Sequence, residues 1–457
     1  MQIFNEIIRF IQDILSQPAV LIALIALIGL LLQKKPASEV IRGTLKTFLG
    51  FIIISAGAGV IVGALTPFGE MFQHAFNVQG VVPNNEAIVA LALTEYGSIT
   101  ALIMLFGMIA NLILARITPL KYIFLTGHHT LYMACMIGVI MVATGMDNVM
   151  AVIIGSISLG LAMVIFPAIV QPFMRKITKD DSVGLGHFSS VGYAASAIVG
   201  GIVGKNSRST EELNFPKSLA FLRDSSISIS LTMMVLYVGV ALFAGPDYVE
   251  TTMSGGQNYL VYAIIQSITF AAGVFIILSG VRLVLAEIVP AFKGISERFI
   301  PGAKPALDCP VVFPYAPNAV LIGFFSSFVG GIVGLIILTF MGGIIILPGV
   351  VPHFFTGATA GVFGNSTGGV RGATIGAFVN GLIITFLPVF LLPVLGNLGF
   401  ANSTFSDADF GVTGIFLGNV GNIGGPWLVT AAVITIVVGL VASNLLVKKS
   451  KTKAEVE

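Results

Sequence analysis

Apolar runs of membrane-crossing length recur along almost the whole chain and leave its backbone few options. They lie at roughly 19–33, 48–66, 88–115, 122–146, 149–171, 226–244, 259–281, 318–341, 344–364, 372–394 and 427–447. About 20 apolar residues in a helix cross a hydrocarbon core. Inside it every peptide N–H and C=O must find a partner within the protein, which leaves helices or closed barrels. Runs this long, without strand-like alternation, are helical. Only 10% of the 457 residues are charged, against roughly a quarter in a soluble domain. The expected fold is an all-α polytopic membrane protein with about 11 transmembrane helices, embedded in a lipid bilayer.

Basic residues alternate between loops. Lys34, Lys35, Arg42 and Lys46 follow the first run, Arg116 and Lys121 the third, and Arg175, Lys176 and Lys179 the fifth. Arg282, Lys293, Arg298 and Lys304 follow the seventh, and Lys448, Lys449, Lys451 and Lys453 the last. The loops at 67–86, 245–258 and 395–411 have no Lys or Arg. The positive-inside rule then places the N-terminus outside and the C-terminus in the cytoplasm. Ahead of the first run, Ile3, Phe4, Ile7, Ile8, Ile11, Ile14 and Leu15 share one helical face, so residues 1–17 read as an amphipathic surface helix. Asn5, Glu6 and Asp13 stand where a secretory signal would be basic.

The Gly-rich segment at 184–204 has Lys179 on one flank and Lys205 and Arg208 on the other. Both flanks belong on one side, which calls for a re-entrant hairpin. A weak repeat accompanies it: Phe124-Leu125-Thr126-Gly127 is similar to Phe354-Phe355-Thr356-Gly357. A first inverted repeat is expected over 18–204 and a second over 205–425, the latter with its own hairpin at 410–425; 426–457 then hold the last span and a basic tail.

Polar residues at membrane depth are costly and mark solute paths. His128 and His129 open the fourth run, His187 sits in the hairpin beside Ser189 and Ser190, and Asp308 lies in a Pro-rich turn. Asp308 reads either as a group that accepts from solute hydroxyls or as a helix N-cap. Glu95 interrupts the third run and Asn85 and Glu86 precede it; Arg282 and Glu287 read as a structural pair. Cys135 and Cys309 have no metal spacing and read as packing residues. The chain has no Walker motif, no metal-ligand cluster and no basic face for nucleic acid. Neither a cofactor nor a metal is expected, and any covalent chemistry falls to another subunit.

The block Gly280–Ala303, running on to Leu307-Asp308-Cys309 and Ala316-Pro317-Asn318-Ala319-Val320, resembles the membrane IIC subunit of the ascorbate-type phosphotransferase system, of the ascorbate/galactitol superfamily. So do Gly43–Phe51, Leu125-Thr126-Gly127-His128 and Gly186-His187. The resemblance implies a homodimer in a bacterial plasma membrane, each chain with a scaffold (V-motif) part and a core part. It implies import of L-ascorbate or a related pentose, pentitol or sugar acid, presented to a cysteine-phosphorylated IIB subunit that is charged through IIA. It also implies substrate contacts from Asn85, Glu86, His128, Tyr132, His187, Phe188 and Asp308. Asp308 would be an assisting base. Tyr132 and Phe188 stand where ascorbate carriers have Gln. Losing a buried hydrogen-bond partner costs a ligand about 1–3 kcal/mol, so a cargo other than ascorbate is a serious competitor. The alternative is a proton-coupled secondary transporter with His128, Glu95 and Asp308 as its relay.

Overall fold

The computed structural model describes residues 18–77, 80–213, 221, 224–300, 302–400 and 403–454. The amphipathic helix expected at 1–17 lies outside them. The chain runs α1 (Pro18–Leu32), α2 (Ala37–Phe76), β1 (Gly80–Pro83), α3 (Asn85–Ile117), β2 (Tyr122–Phe124), α4 (Gly127–Ala143) and α5 (Asn148–Thr178). Then come β3 (Gly184–Leu185), α6 (Ser190–Val203), α7 (Ser225–Ala244), α8 (Tyr259–Phe299), β4 (Lys304–Leu307) and α9 (Pro317–Met341). The last elements are β5 (Ile345–Ile346), α10 (Ala358–Arg371), α11 (Ala377–Leu391), β6 (Ser403–Thr404) and α12 (Ala408–Ala454).

The chain is a multi-pass helical membrane protein. Among the described residues seven helical segments are long and apolar enough to cross a bilayer, or eight if the segment bent by 98° after Ala244 counts as one. The sequence suggested eleven. The difference lies at glycine breaks and in short helices. α1 and α4, which cover two of the expected runs, are only 15 and 17 residues long, and at 1.5 Å per residue neither crosses roughly 30 Å of hydrocarbon alone. Two further expected runs lie on one helical stretch interrupted at Gly368 and Gly369. The carbonyl of Gly372 lies against Gly364, 2.2 Å from where a Cβ would stand. Eight residues of straight helix would separate them by about 12 Å, so the chain doubles back there. Gly369 has φ 56° and Gly425, at the equivalent break in α12, has φ 64°, a conformation side chains with a Cβ resist.

The helices fall into two groups, each packed more closely within itself than against the other. α2 and α8, 40 and 41 residues long, lie against each other and against α1 and α7. Their contact is made by small residues: Gly57 meets Ile277, Gly273 meets Ile61, and Gly280 meets the carbonyl of Gly50. Such close backbone approach is how helices associate where the solvent is itself apolar. α3–α6 and α9–α12 make up the other group. Large apolar side chains face outward, among them Phe340, Ile423 and Trp427. In water this would be an aggregation surface; here lipid covers it.

The strands, short as they are, fix the centre of the molecule. β5-β1-β6 form one parallel ribbon and β2-β4-β3 another. In each, the middle strand comes from one half of the chain and the flanking strands from the other. Exchanging β1 with β4, β2 with β5 and β3 with β6 converts one ribbon into the other. Its register sets Phe124–Gly127 against Leu347-Pro348-Gly349-Val350. The similar residues 354–357 instead fall in a wide helical turn, so that short sequence match is out of register with the strands.

The β2-β4-β3 ribbon sits at the basic end. Asp181 holds it to α5: its carboxylate accepts from Arg175 Nε at 2.7 Å and Gln171 Nε2 at 2.9 Å, and pairs with Lys304 of β4. Hydrogen bonds from Arg175, then Lys304 and Gln171, hold Asp181 well below the usual carboxylate range.

Candidate functional site

A cavity of about 380 Å³ opens in the middle of the molecule, walled by Asn85, Glu86, His128, His129, Tyr132, His187, Arg282, Asp308, Pro310, Val351, Pro352, Phe355 and Asp407. Its walls follow from the ribbons. Just past β1 come Asn85 and Glu86, past β2 His128 and His129, and past β3 His187. Past β4 come Asp308 and Pro310, past β5 Val351 and Pro352, and past β6 Asp407. All six strands therefore deliver the chain to one place with their carboxyl ends, as parallel strands do at ligand crevices. α3, α4, α6 and α12 start there, and the positive ends of their dipoles favour electronegative atoms.

Polarity changes with depth. His128 and Asp308 form the mouth, their side chains 23% and 35% exposed and 3.5 Å apart from Nε2 to Oδ2. Arg282 on α8 is exposed beside them. Glu86, His129, Tyr132, His187 and Asp407 are buried at the closed end. Asp407 is 3.9 Å from both His129 Nε2 and His187 Nδ1, and His187 Nδ1 lies 2.7 Å from the Tyr193 hydroxyl. Asp308 also accepts from the Cys309 amide at 2.7 Å, so it caps the turn after β4 with one oxygen and faces His128 with the other.

Two buried oxygens in this wall have no hydrogen-bond partner among the described residues: Glu86 Oε2 and the Tyr132 hydroxyl. An unpartnered buried polar atom costs roughly 1–3 kcal/mol, and one on a cavity wall is available to a guest. The cavity thus offers donors and acceptors on several sides, which suits a small, many-hydroxylated solute. Pairs such as His128 with Asp308 have the residue types that assist deprotonation of an alcohol.

Most residues expected at the site do meet there, with two departures. Phe188 is fully buried and does not line the cavity. It stacks on Phe124 at 4.4 Å and packs against Phe166 and Phe410. Its backbone N–H donates to His129 Nδ1 at 3.3 Å, and its ring lies 6.0 Å from the His129 ring. Asn85 lines the cavity, but its amide is engaged by the second half of the chain: Nδ2 donates to Asp407 Oδ1 at 3.0 Å and Oδ1 accepts from the Ser406 amide at 3.0 Å. Glu95 is exposed on α3 and is not part of the wall.

Arg282, read from the sequence as structural, lines the mouth, and Asp407 went unremarked. The signal for Asp407 was the pair Asp407 and Asp409, the charged residues of the stretch 395–411, which has no Lys or Arg. Asp409 accepts from the amides of Ser190 and Val191 at 2.8 and 2.9 Å, so the start of α12 caps the start of α6 and ties the two halves together.

Comparison with known proteins agrees with this picture. Residues 13–409 match the family described as EIIC-GAT, the sugar-specific permease component of the phosphotransferase system. The chain is 27% identical over 399 residues to a Mycoplasma pneumoniae protein named ascorbate-specific PTS system EIIC component. The match takes in 76% of this chain but 60% of that relative, so the chain spans about three fifths of the relative's length. With the family match extending over most of its residues, the chain belongs to the sugar-specific permease components of the phosphotransferase system.

Proposed function

We propose that this chain binds L-ascorbate or a related pentose, pentitol or sugar acid in the central cavity, carries it inward and presents it to a phosphorylated IIB subunit. The observation that carries this reading is the cavity itself: a half-closed, hydrogen-bonding space at the meeting point of six strand ends, with Glu86 Oε2 and the Tyr132 hydroxyl unpaired on its wall. The relative's name supports ascorbate. Tyr132 on the wall favours a related solute, because a phenol replaces an amide that both donates and accepts.

The ribbon exchange supports two inverted repeats, 18–204 and 205–425, with the solute at their interface. The closer packing of α1, α2, α7 and α8 with one another supports a scaffold against which a core part slides, and the family resemblance supports a homodimer. Arg116, Lys121, Arg175 and Lys304 surround the β2-β4-β3 ribbon, whereas the loops leading into β1 and β6 have no Lys or Arg. This distribution supports an outside N-terminus, a cytoplasmic C-terminus and a phosphate donor arriving at the basic face. Once phosphorylated, the solute carries charge that the carboxylates of the cavity repel, which makes import one-way. A relay of His128, Glu95 and Asp308 is not supported, because Glu95 lies off the cavity.

The test is uptake into membrane vesicles with phosphoenolpyruvate and the soluble subunits, scored by phosphorylated product over a panel of ascorbate, pentoses and pentitols. Product that requires the phosphoryl donor supports the reading. Accumulation of unmodified solute driven by a pH gradient alone contradicts it.

A further inference from the structure

At the closed end of the cavity His129 and Asp407 face each other across a gap that neither can bridge. His129 Nε2 is 3.9 Å from Asp407 Oδ2, beyond hydrogen-bond range. Both residues are about 3% exposed, so bulk water does not compensate them. The orientation of each is set by a separate bond. The Phe188 amide donates to His129 Nδ1 at 3.3 Å. A backbone N–H only donates, so Nδ1 must present its lone pair, and the ring is neutral with its proton on Nε2. Asp407 Oδ1 is taken by Asn85 Nδ2 at 3.0 Å and Ser406 Oγ at 2.6 Å. This leaves Oδ2 as the free acceptor toward the cavity.

A fixed N–H donor and a fixed carboxylate acceptor 3.9 Å apart fit one group well: an alcohol. Its oxygen accepts from His129 Nε2 while its own proton goes to Asp407 Oδ2, each at about 2.8 Å. The same tautomer argues against a cation held by the neighbouring trio His129, His187 and Asp407, since Nε2 of His129 has no lone pair to give.

We propose that His129 and Asp407 form a hydroxyl clamp that fixes which end of the solute enters first. The inference rests on reading the cavity as a sugar site and adds its polarity. The alcohol end of a polyol or sugar goes to the closed end, and a carboxylate or enolate end is refused there, because it would meet Asp407. Phe188, through its backbone N–H, is the positioning residue for this clamp.

The experiment is titration calorimetry on the full chain in lipid nanodiscs, with L-ascorbate, D-xylose and D-arabinitol as probes, followed by monodeoxy analogues of the probe that binds. His129→Asn keeps an acceptor for the Phe188 amide but has no donor at the Nε2 position; His129→Gln restores a donor near it; Asp407→Asn removes the carboxylate. We expect His129→Asn and Asp407→Asn each to weaken binding about tenfold or more, with His129→Gln recovering part of the loss. One deoxy analogue should bind wild type with that same penalty, yet bind both variants as well as the parent probe does. Variants within twofold of wild type, or variants that penalise every deoxy analogue as wild type does, overturn the clamp. Asp308→Asn at the mouth separates the two levels. If it weakens the probe while the clamp variants do not, the clamp falls and the sugar site stands. If no probe binds wild type, the sugar site itself falls, and the clamp with it.

Discussion

Tyr132 and Phe188 looked equivalent in the sequence, two aromatic side chains standing where ascorbate carriers have amides. Their places in the fold separate them. Tyr132 puts an unpaired hydroxyl on the cavity wall, whereas Phe188 fills a cage of Phe124, Phe166 and Phe410. Tyr132→Gln should therefore change the order of preference in a solute panel, with ascorbate gaining most, as read by phosphorylated product. Phe188→Gln should leave that order unchanged. It buries an amide in an aromatic cage and should cost about 1–3 kcal/mol of stability, seen as a lower melting temperature. A sequence without its tertiary context distinguishes neither, because both positions lie within four residues of a His in a greasy segment. Asp407 escaped notice for the related reason that its partners, Asn85 and His129, lie about 300 residues away; Asn85 is brought to it by the pairing of β1 with β6.

At the scale of elements, positions 200, 204, 364, 368 and 372 pack glycine on glycine between α6 and the α10 hairpin. A Cβ on Gly204 would stand 2.1 Å from the Cα of Gly368. Gly204→Ala should force these elements apart and cost about 1–3 kcal/mol, measurable as a loss of thermal stability in detergent. The Asp181 staple makes a prediction with pH. Its carboxylate is held below the usual 3.8 by Arg175, Lys304 and Gln171. The stabilisation is therefore complete above that ordinary value and is lost as pH falls through the lower, folded one. The melting-temperature gap between wild type and Asp181→Asn should be constant from pH 7 to about 5 and shrink below about 4. Asp181 is nearly half exposed, so the gap should be small and should diminish with added salt. The helices were legible from apolar period and length. The six short strands were not, since two- to four-residue strands carry no period, yet they decide where the site lies.

Across the whole molecule, hydrophobicity and the alternation of basic loops were enough to expect a polytopic bundle, and composition alone excluded a soluble enzyme. The number of full crossings was not legible. Chain reversals at Gly368–Gly369 and Gly424–Gly425 look, in hydropathy, like any other glycines in a greasy run. The central claim is that buried polar side chains from both halves of the chain meet to hold a hydroxylated solute. Its most direct measurement is solute uptake, with phosphoenolpyruvate and the soluble subunits present, by inserted protein carrying Asp308→Ala, His128→Ala or His187→Ala. Each substitution should cut uptake of the preferred solute at least tenfold while the protein stays folded and inserted. Uptake at wild-type rates in all three would contradict the account.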